Sequence, residues 1–506
     1  MLPVDSLRRL LLMGVVCLTA CKAVGPDFEP QRESWPGTWT TAALAQASAQ
    51  GAEATHQDTR GWWRVFGDPA LDALIAEADQ YNAGLRIAGL RIMEARAQLG
   101  IARSGRYPQV QVATADALYQ NRRQFNNTSP LPSSFWQYSA GVNIGWELDF
   151  WGKFSRAIES ADAAYFAAQA NREDVLVLLH AQVAETYYAL RVAEARLRIA
   201  GDNARIQRRS LEITERLFKG GETDELDVQQ ARTQYLGTLS SIPDFEGQIA
   251  RSRNALAVLV GRPPNPMPEV PAAARQPPAI PLIDKAVLDD VPANLLLRRP
   301  DIRAAELLIA AQSAQIGVAL ADLYPSLTLL GSLIWSATSL PGSGSTLALI
   351  GGPSLTWNIF DHGRIRNTVR VQDARLQQLI VAYQDDVRQA AREADDAATG
   401  LVKSVERDGI LRDASQGAER ALVLANTLYR EGYTNFERVL DAQRALAVQQ
   451  DAYVVNRGNA VSDLIALYKA LGGGWDTDQP WVDDATRRQM QQRTDWGGLL
   501  DEGAQP

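Results

Sequence analysis

Two pairs of carboxylates have a spacing that can do chemistry. Glu437 and Asp441 are four residues apart, so on a helix they share one face. Asp224 and Asp227 form a similar pair about two hundred residues earlier. Carboxylates gathered on one face attract cations and turn anions away. The competing reading is local pairing, for Asp441 with Arg438 or Arg444. One thiol also invites covalent chemistry, because Cys21 directly follows Leu18, Thr19 and Ala20. The other reactive residues are scattered. His56, His180 and His362 have no partner at metal-ligand spacing, and the second cysteine, Cys17, lies inside an apolar stretch. Ser343, within PGSGS, reads as loop. No phosphate loop, nucleophile elbow or metal spacing occurs, so no enzyme activity, catalytic residue, metal site or cofactor is expected.

The N-terminus accounts for Cys21. Arg8 and Arg9 precede an apolar run from Leu10 to Leu18, which is too short to span a bilayer and ends in small residues. Such a segment is a cleaved export signal, here residues 1–20. The ending resembles the bacterial lipobox, which implies that Cys21 becomes a new N-terminus carrying N-palmitoyl and S-diacylglycerol groups. Lys22 follows, where an aspartate commonly retains a lipoprotein at the inner membrane, so the resemblance points to the outer membrane. After cleavage no thiol remains for a disulfide, a zinc site or a nucleophile. Net charge is −8 with both signs interleaved, which argues against a nucleic-acid partner.

Positioning the acids requires elements, and the elements are written twice. QLGIARSGRYP (98–108) matches QIGVALADLYP (315–325) at an offset of 217 residues. WELDFWGKFSRAIESADA (146–163) matches WNIFDHGRIRNTVRVQDA (357–374) at 211, as does LFKGGETDELDVQQA (217–231) with LYREGYTNFERVLDA (428–442). The first copy therefore carries six extra residues, expected in a loop around 124–134. The chain divides into a lipidated N-terminal segment (21–60), repeat 1 (61–261), a Pro-rich linker (262–294), repeat 2 (295–472) and a polar tail (473–506).

Each repeat begins with a helix, 71–103 or 300–320, which ends at Tyr107-Pro108 or Tyr324-Pro325. Alternating apolar residues follow. Tyr138, Ala140, Val142, Ile144, Trp146 and Leu148 share one face, and Leu327, Leu329, Leu355, Trp357 and Ile359 repeat the pattern. The period of two predicts hairpins near 107–148 and 324–360. Proline-free runs at 152–219 and 362–430 then predict two rods, each on the order of 100 Å at ~1.5 Å per residue. Return helices are expected at 225–260 and 435–471. The turns between rod and return helix, 219–227 and 430–441, hold the acids. Gly221 and Gly432 suit positive φ there, with Thr223 and Thr434 as caps.

No run of eighteen uninterrupted apolar residues follows Cys21, so any crossing of a membrane must use strands. Four strands cannot enclose a lumen, and open edges are forbidden in lipid. Spanning strands therefore require several chains to share one barrel. A soluble coiled-coil protein with two hairpins is the alternative.

Five segments carry a family resemblance: VGPDFEP (24–30), WWRVFGDPAL (62–71), LLLRRPDI (295–302), LYPSLTLLGS (323–332) and LYKALGGGW (467–475). In order along the chain they resemble the TolC-like outer-membrane efflux factors, in particular the lipidated NodT-type branch. The resemblance implies a mixed α/β membrane protein, mainly helical. It implies a homotrimer whose four strands per chain share a twelve-stranded transmembrane β-barrel above a periplasmic α-helical barrel. It further implies the exit duct of a tripartite pump, with a periplasmic adaptor and an inner-membrane resistance-nodulation-division transporter as partners, embedded in outer-membrane lipid. The turns at Gly221, Thr223, Gly432 and Thr434 would then meet the adaptor. Asp441, in LDAQR, matches the family's constricting aspartate, with Glu437, Asp224 and Asp227 as further gate residues; Glu437 replaces the apolar residue frequent there. The duct of a type I protein secretion system and a lipid-anchored scaffold without a pore are the alternatives.

Overall fold

A computed structural model of the protein describes residues 23–30, 59–121, 134–264, 280–283, 299–475 and 480–501. Cys21, the signal segment, the 122–133 loop and most of the Pro-rich linker lie outside the described residues.

A 3-10 helix, Thr59–Phe66, leads into α1 (Pro69–Tyr81) and α2 (Ala83–Ser104), followed by strands β1 (Val110–Asn121) and β2 (Ser134–Glu147). Next come α3 (Lys153–Lys219) and α4 (Glu225–Leu259). The second repeat supplies α5 (Pro300–Ala321), β3 (Ser326–Thr338), β4 (Thr346–Thr356), α6 (Arg364–Arg430) and α7 (Phe436–Ala470), and α8 (Asp484–Arg493) closes the described chain.

The rods α3 and α6 are 67 residues each, long enough for ~100 Å at 1.5 Å per residue. Their composition explains why they need neighbours. On α6 the buried stripe is Tyr383, Val387, Ala390, Ala394, Ala398 and Leu401, mostly small residues that let another helix approach closely. α2 and α4 pack along α3, and α5 and α7 along α6, so each rod is backed by two shorter helices end to end. α5 is apolar enough to span a membrane by composition, yet half of it is buried, because it is clamped between α3 and α6.

The junctions between the shorter helices recur in both repeats. Asn82 accepts a hydrogen bond from Leu85 N (3.1 Å), capping α2, and donates its amide to the Leu259 carbonyl at the end of α4 (2.9 Å). Arg299 donates to the Ala470 carbonyl at the end of α7 (2.9 Å), just ahead of α5. This corrects the single helix expected over 71–103. Asn82 adopts extended backbone and divides it into α1 and α2. Its amide then satisfies a helix-end carbonyl that would otherwise lack a donor.

Four antiparallel strands form one sheet in the order β1-β2-β3-β4. Twelve residues (122–133) link β1 to β2 and seven (339–345) link β3 to β4. Five of the six extra residues of repeat 1 thus fall in the hairpin loop, and one falls between Pro108 and β1. Tyr119, Trp136 and Tyr138 form an aromatic group at one end of the sheet, with Tyr119 and Trp136 5.4 Å apart. Trp146 and Trp357 mark the other end, donating their indole N–H groups to the Arg106 and Leu323 carbonyls (3.2 and 3.1 Å). Trp136 and Trp146 are ten residues apart on β2. At ~3.3 Å per residue and a tilt of ~40° that is about 25 Å of height, the thickness of the apolar band of a membrane barrel.

The polar tail carries its own packing. Trp481, Val482, Met490, Trp496 and Leu500 join Ile92, Met93 and Leu99 of α2 and Tyr165 of α3 in one apolar cluster. Gly89 of α2 admits the strap, since a Cβ there would sit 1.8 Å from the Trp481 carbonyl oxygen.

Candidate functional site

The two helical turns at the end of α3 and α6 are built alike. Gly221 has φ +77° and Gly432 has φ +79°. Gly221 N donates to Phe218 O (3.0 Å) and Glu222 N to Leu217 O (2.9 Å). Gly432 N donates to Tyr429 O (3.1 Å) and Tyr433 N to Leu428 O (2.9 Å). This is the Schellman arrangement, which satisfies the last carbonyls of each rod. A Cβ at either glycine would meet nothing within 4 Å, so backbone angle and not space requires glycine there.

The expected caps are corrected. Asp224 and Asn435, one residue later than Thr223 and Thr434, occupy the N-cap positions of α4 and α7, and neither makes a side-chain cap bond. Thr223 instead donates its hydroxyl to the Asp227 carboxylate. Tyr429 of the second turn lies beside Thr223, so the two turns touch. Its ring also packs 5.3 Å from Phe436, the first residue of α7. Phe436, Val439, Leu440 and Leu446 face a core shared with Ala231, Ala418 and Leu422.

That inward face leaves Glu437, Asp441 and Arg444 exposed together on the opposite side of α7. The Asp441 carboxylate lies 3.6 Å from the Arg444 guanidinium, with both side chains more than half exposed. Such a pair contributes ~0–1 kcal/mol and is easily broken. Arg444 also donates to Gln234 of α4 (3.2 Å), which ties α7 to the first repeat. Asp224 is exposed and Asp227 half-buried on the other turn. Among the described residues no three His, Cys, Asp or Glu side chains converge to hold a metal ion.

Sequence reasoning missed a polar ladder above the turns. On α3, Arg196, Asn203 and Ser210 recur every seven residues, about two helical turns. They meet α7, which runs antiparallel to α3. Arg196 grips Asp451 with two hydrogen bonds (2.7 and 3.1 Å), Asn203 donates to Gln450 (3.0 Å), and Gln443 donates to Ser210 (2.7 Å). The seven-residue spacing of polar residues along a small-residue rod was the available signal.

At the opposite end, residues 23–30 are pinned at the base of the sheet. Val24 N donates to Trp151 O (3.0 Å), and Arg156 donates to Asp27 (2.6 Å). Gly25 has φ +105°, and a Cβ on it would come 2.5 Å from Gly317 Cα, so the VGPDFEP segment lies flat on α5. Ala23 packs on Gly152, the residue between strand and rod. The WW-x-x-F-x-DP segment is explained as well. Trp62 and Phe66 fill the core, and Asp68 caps α1 through Ala70 N (3.0 Å) while accepting from the Tyr187 hydroxyl (2.6 Å).

The sequence profile of the outer membrane efflux protein family matches residues 74–262 and 291–473. A probable outer membrane lipoprotein, SilC of Salmonella typhimurium, is 30% identical over 93% of this chain and 99% of its own length. The pyoverdine export outer membrane protein OpmQ of Pseudomonas putida is 31% identical over 88% of this chain and 93% of its own. Among solved structures, the outer-membrane channel OprN superposes with a TM-score of 0.80 at 33% identity, covering 89% of this chain and 99% of that one. CusC superposes at 0.74 with 26% identity, covering 90% and 100%. Profile, relatives and fold agree along nearly the whole chain, which belongs to the outer membrane efflux protein family.

Proposed function

We propose that this protein is the passive exit duct of a tripartite efflux pump. In this reading three copies close a twelve-stranded barrel in the outer membrane, and the rods continue as a helical tube into the periplasm. A periplasmic adaptor docks at the Gly221 and Gly432 turns. Behind it stands an inner-membrane transporter of the resistance-nodulation-division type, which selects the cargo. The relatives support a duct that does not choose. Proteins about equally similar to this chain are named for cation efflux, pyoverdine export and toluene efflux.

The observation that carries the reading is the exposed Glu437–Asp441 face at the far end of the long rods. In a trimer it forms stacked carboxylate rings, with Asp224 and Asp227 on the neighbouring turn. Such rings favour cations and narrow a resting pore. Asp441→Ala is expected to raise single-channel conductance in planar bilayers and to lower cation preference. Unchanged conductance and selectivity would remove Asp441 from the gate, and no conductance from the unaltered protein would leave only a scaffold.

A further inference from the structure

The two faces of the sheet differ. On β2, Tyr138, Val142, Ile144 and Trp146 are exposed, whereas Ser139, Gly141, Asn143, Gly145 and Glu147 between them are half-buried or buried. The sheet is thus concave on the side of the second set, and in a shared barrel that face lines the lumen, which is ordinarily polar. Near the base of this sheet it is not. The registers set Val110, Gly145, Leu330 and Gly352 in one row across the four strands, and Val112, Asn143, Ser332 and Ile350 in the next. Val110 and Leu330 are about half exposed and Ile350 is 64% exposed. Large apolar side chains therefore stand on the face that meets water.

Gly145 opens a hollow among them. A Cβ there would lie 3.3 Å from Val110 Cβ and 3.7 Å from Leu330 Cδ2, so a side chain would fill the space that these two leave between them. The hollow encloses about 440 Å³, the size of a small-molecule site, and Val110, Leu330 and Ile350 give it apolar walls. Asn143, Thr328 and Ser332 add polar groups, and Glu147 stands at the end nearest the rods. Glu147 also lines a second, polar hollow of about 180 Å³, together with Asp149, Asp322 and Lys153. Lys153 takes Asp322 as its partner (2.8 Å), which leaves the Glu147 carboxylate for a cation arriving from the lumen.

We infer that this hollow is a resting site for amphipathic organic cations passing through the duct. The apolar body lies against Val110, Leu330 and Ile350, and the cationic end meets Glu147. Inside a closed barrel only what travels the duct reaches this wall, which excludes a macromolecular partner. Each subunit contributes one such site. It shelters the apolar part of a passing molecule from water, and so holds such cargo longer than it holds an anion, while entry stays with the transporter. This rests on the duct reading above and adds a class of molecule that the wall retains.

Benzyltrimethylammonium carries a ring and a cation, tetramethylammonium only the cation, and benzenesulfonate a ring with an anion. Each is titrated against the full-length trimer in lipid nanodiscs, with binding read by saturation-transfer NMR. Benzyltrimethylammonium is expected to bind several-fold more tightly than either of the others, with its ring protons saturated most. Leu330→Asn and Glu147→Gln should each weaken it several-fold, and Asp441→Ala should leave its binding unchanged. A control probe that binds as tightly, or unchanged binding in Leu330→Asn or Glu147→Gln, would overturn the site. Loss in Asp441→Ala alone would place the binding at the gate and overturn it likewise. Those results leave the duct standing, whereas a chain that forms no trimer would overturn both. Should Leu330→Asn fail to assemble, Ile350→Asn carries the same test.

Discussion

Arg96 of α2 donates a hydrogen bond to the carbonyl oxygen of Asp501 at 2.8 Å, joining residues 405 positions apart. The same guanidinium nitrogen also donates to the Leu499 carbonyl, and the side chain is almost wholly buried. A cation that loses its acceptors costs ~3 kcal/mol or more where it stays buried, and removing the tail also strips the apolar contacts of Val482, Met490 and Leu500. Deleting residues 480–506 should therefore lower the thermal stability of the detergent-solubilised protein by about 3 kcal/mol. Combining the deletion with Arg96→Met should recover part of that loss, since no charge then stays behind. Equal stability of the deletion alone and the combined variant would show that the tail acts through its apolar contacts only.

The Ser210–Gln443 pair is the lowest rung of the ladder between α3 and α7 and is buried on both sides. Gln443→Ala leaves the Ser210 hydroxyl without that donor, at a cost of ~1–3 kcal/mol. Gln443 is also two residues from Asp441, so α7 loosens where the proposed gate sits. The expected outcome is a less stable protein with higher single-channel conductance and little change in ion preference, because no charge is lost. Asp441→Ala should change the preference. Identical selectivity shifts in the two variants would mean that the ladder and the acids do not act separately.

Much of this architecture is legible in sequence, for identifiable reasons. The rods stand out because a 67-residue helix cannot hold a proline without a kink, and each is closed by a positive-φ glycine two residues past its end, Gly221 or Gly432. The strands stand out because one face meets lipid, which enforces alternation at Tyr138, Val142, Ile144 and Trp146. The break at Asn82 was not legible, because it depends on a carbonyl 177 residues away. The tail was opaque for a related reason. Residues 484–493 are polar, and their docking shows only in contacts such as Arg86 of α2 to Thr486 and Met490 in the α2 cluster. Ser210 and Gln443 read as solvated until another helix is laid against them. What escapes the sequence is the part held by single long-range polar contacts.

Asp174 of α3 has its carboxyl pushed up to about 6, chiefly by burial, with the negative charges of Asp301 and Glu393 adding and Arg299 opposing. The fold therefore prefers this group protonated. Relative to an unfolded value near 3.8, its contribution is most favourable at low pH and is lost as pH rises through about 6. Asp174→Asn removes the penalty. Allowing for partial exposure, the variant should be more stable than the unaltered protein by on the order of 2 kcal/mol at pH 7.5. The gap should close towards pH 4. Urea or thermal unfolding of the detergent-solubilised protein at both values checks this, and a gap that stays constant with pH would contradict it.

On the proposed lipidation, a lipid on Cys21 would have a narrower task than membrane attachment. Val24 is held to Trp151 and Ala23 packs on Gly152, so a lipid two residues before Ala23 would be tethered to the base of the sheet. A closed barrel is held by every lipid-facing strand residue, whereas acyl chains add a fixed increment of ~0.8 kcal/mol per buried methylene. The tether can then matter for sorting and for bringing subunits together, and little for retention once they have joined. Cys21→Ser, exported with a signal that is not lipid-modified, should still yield outer-membrane trimers of normal thermal stability, at reduced yield. Fractionation and native mass measurement decide it, because a wholly soluble, monomeric product would mean that the strands do not span the membrane at all.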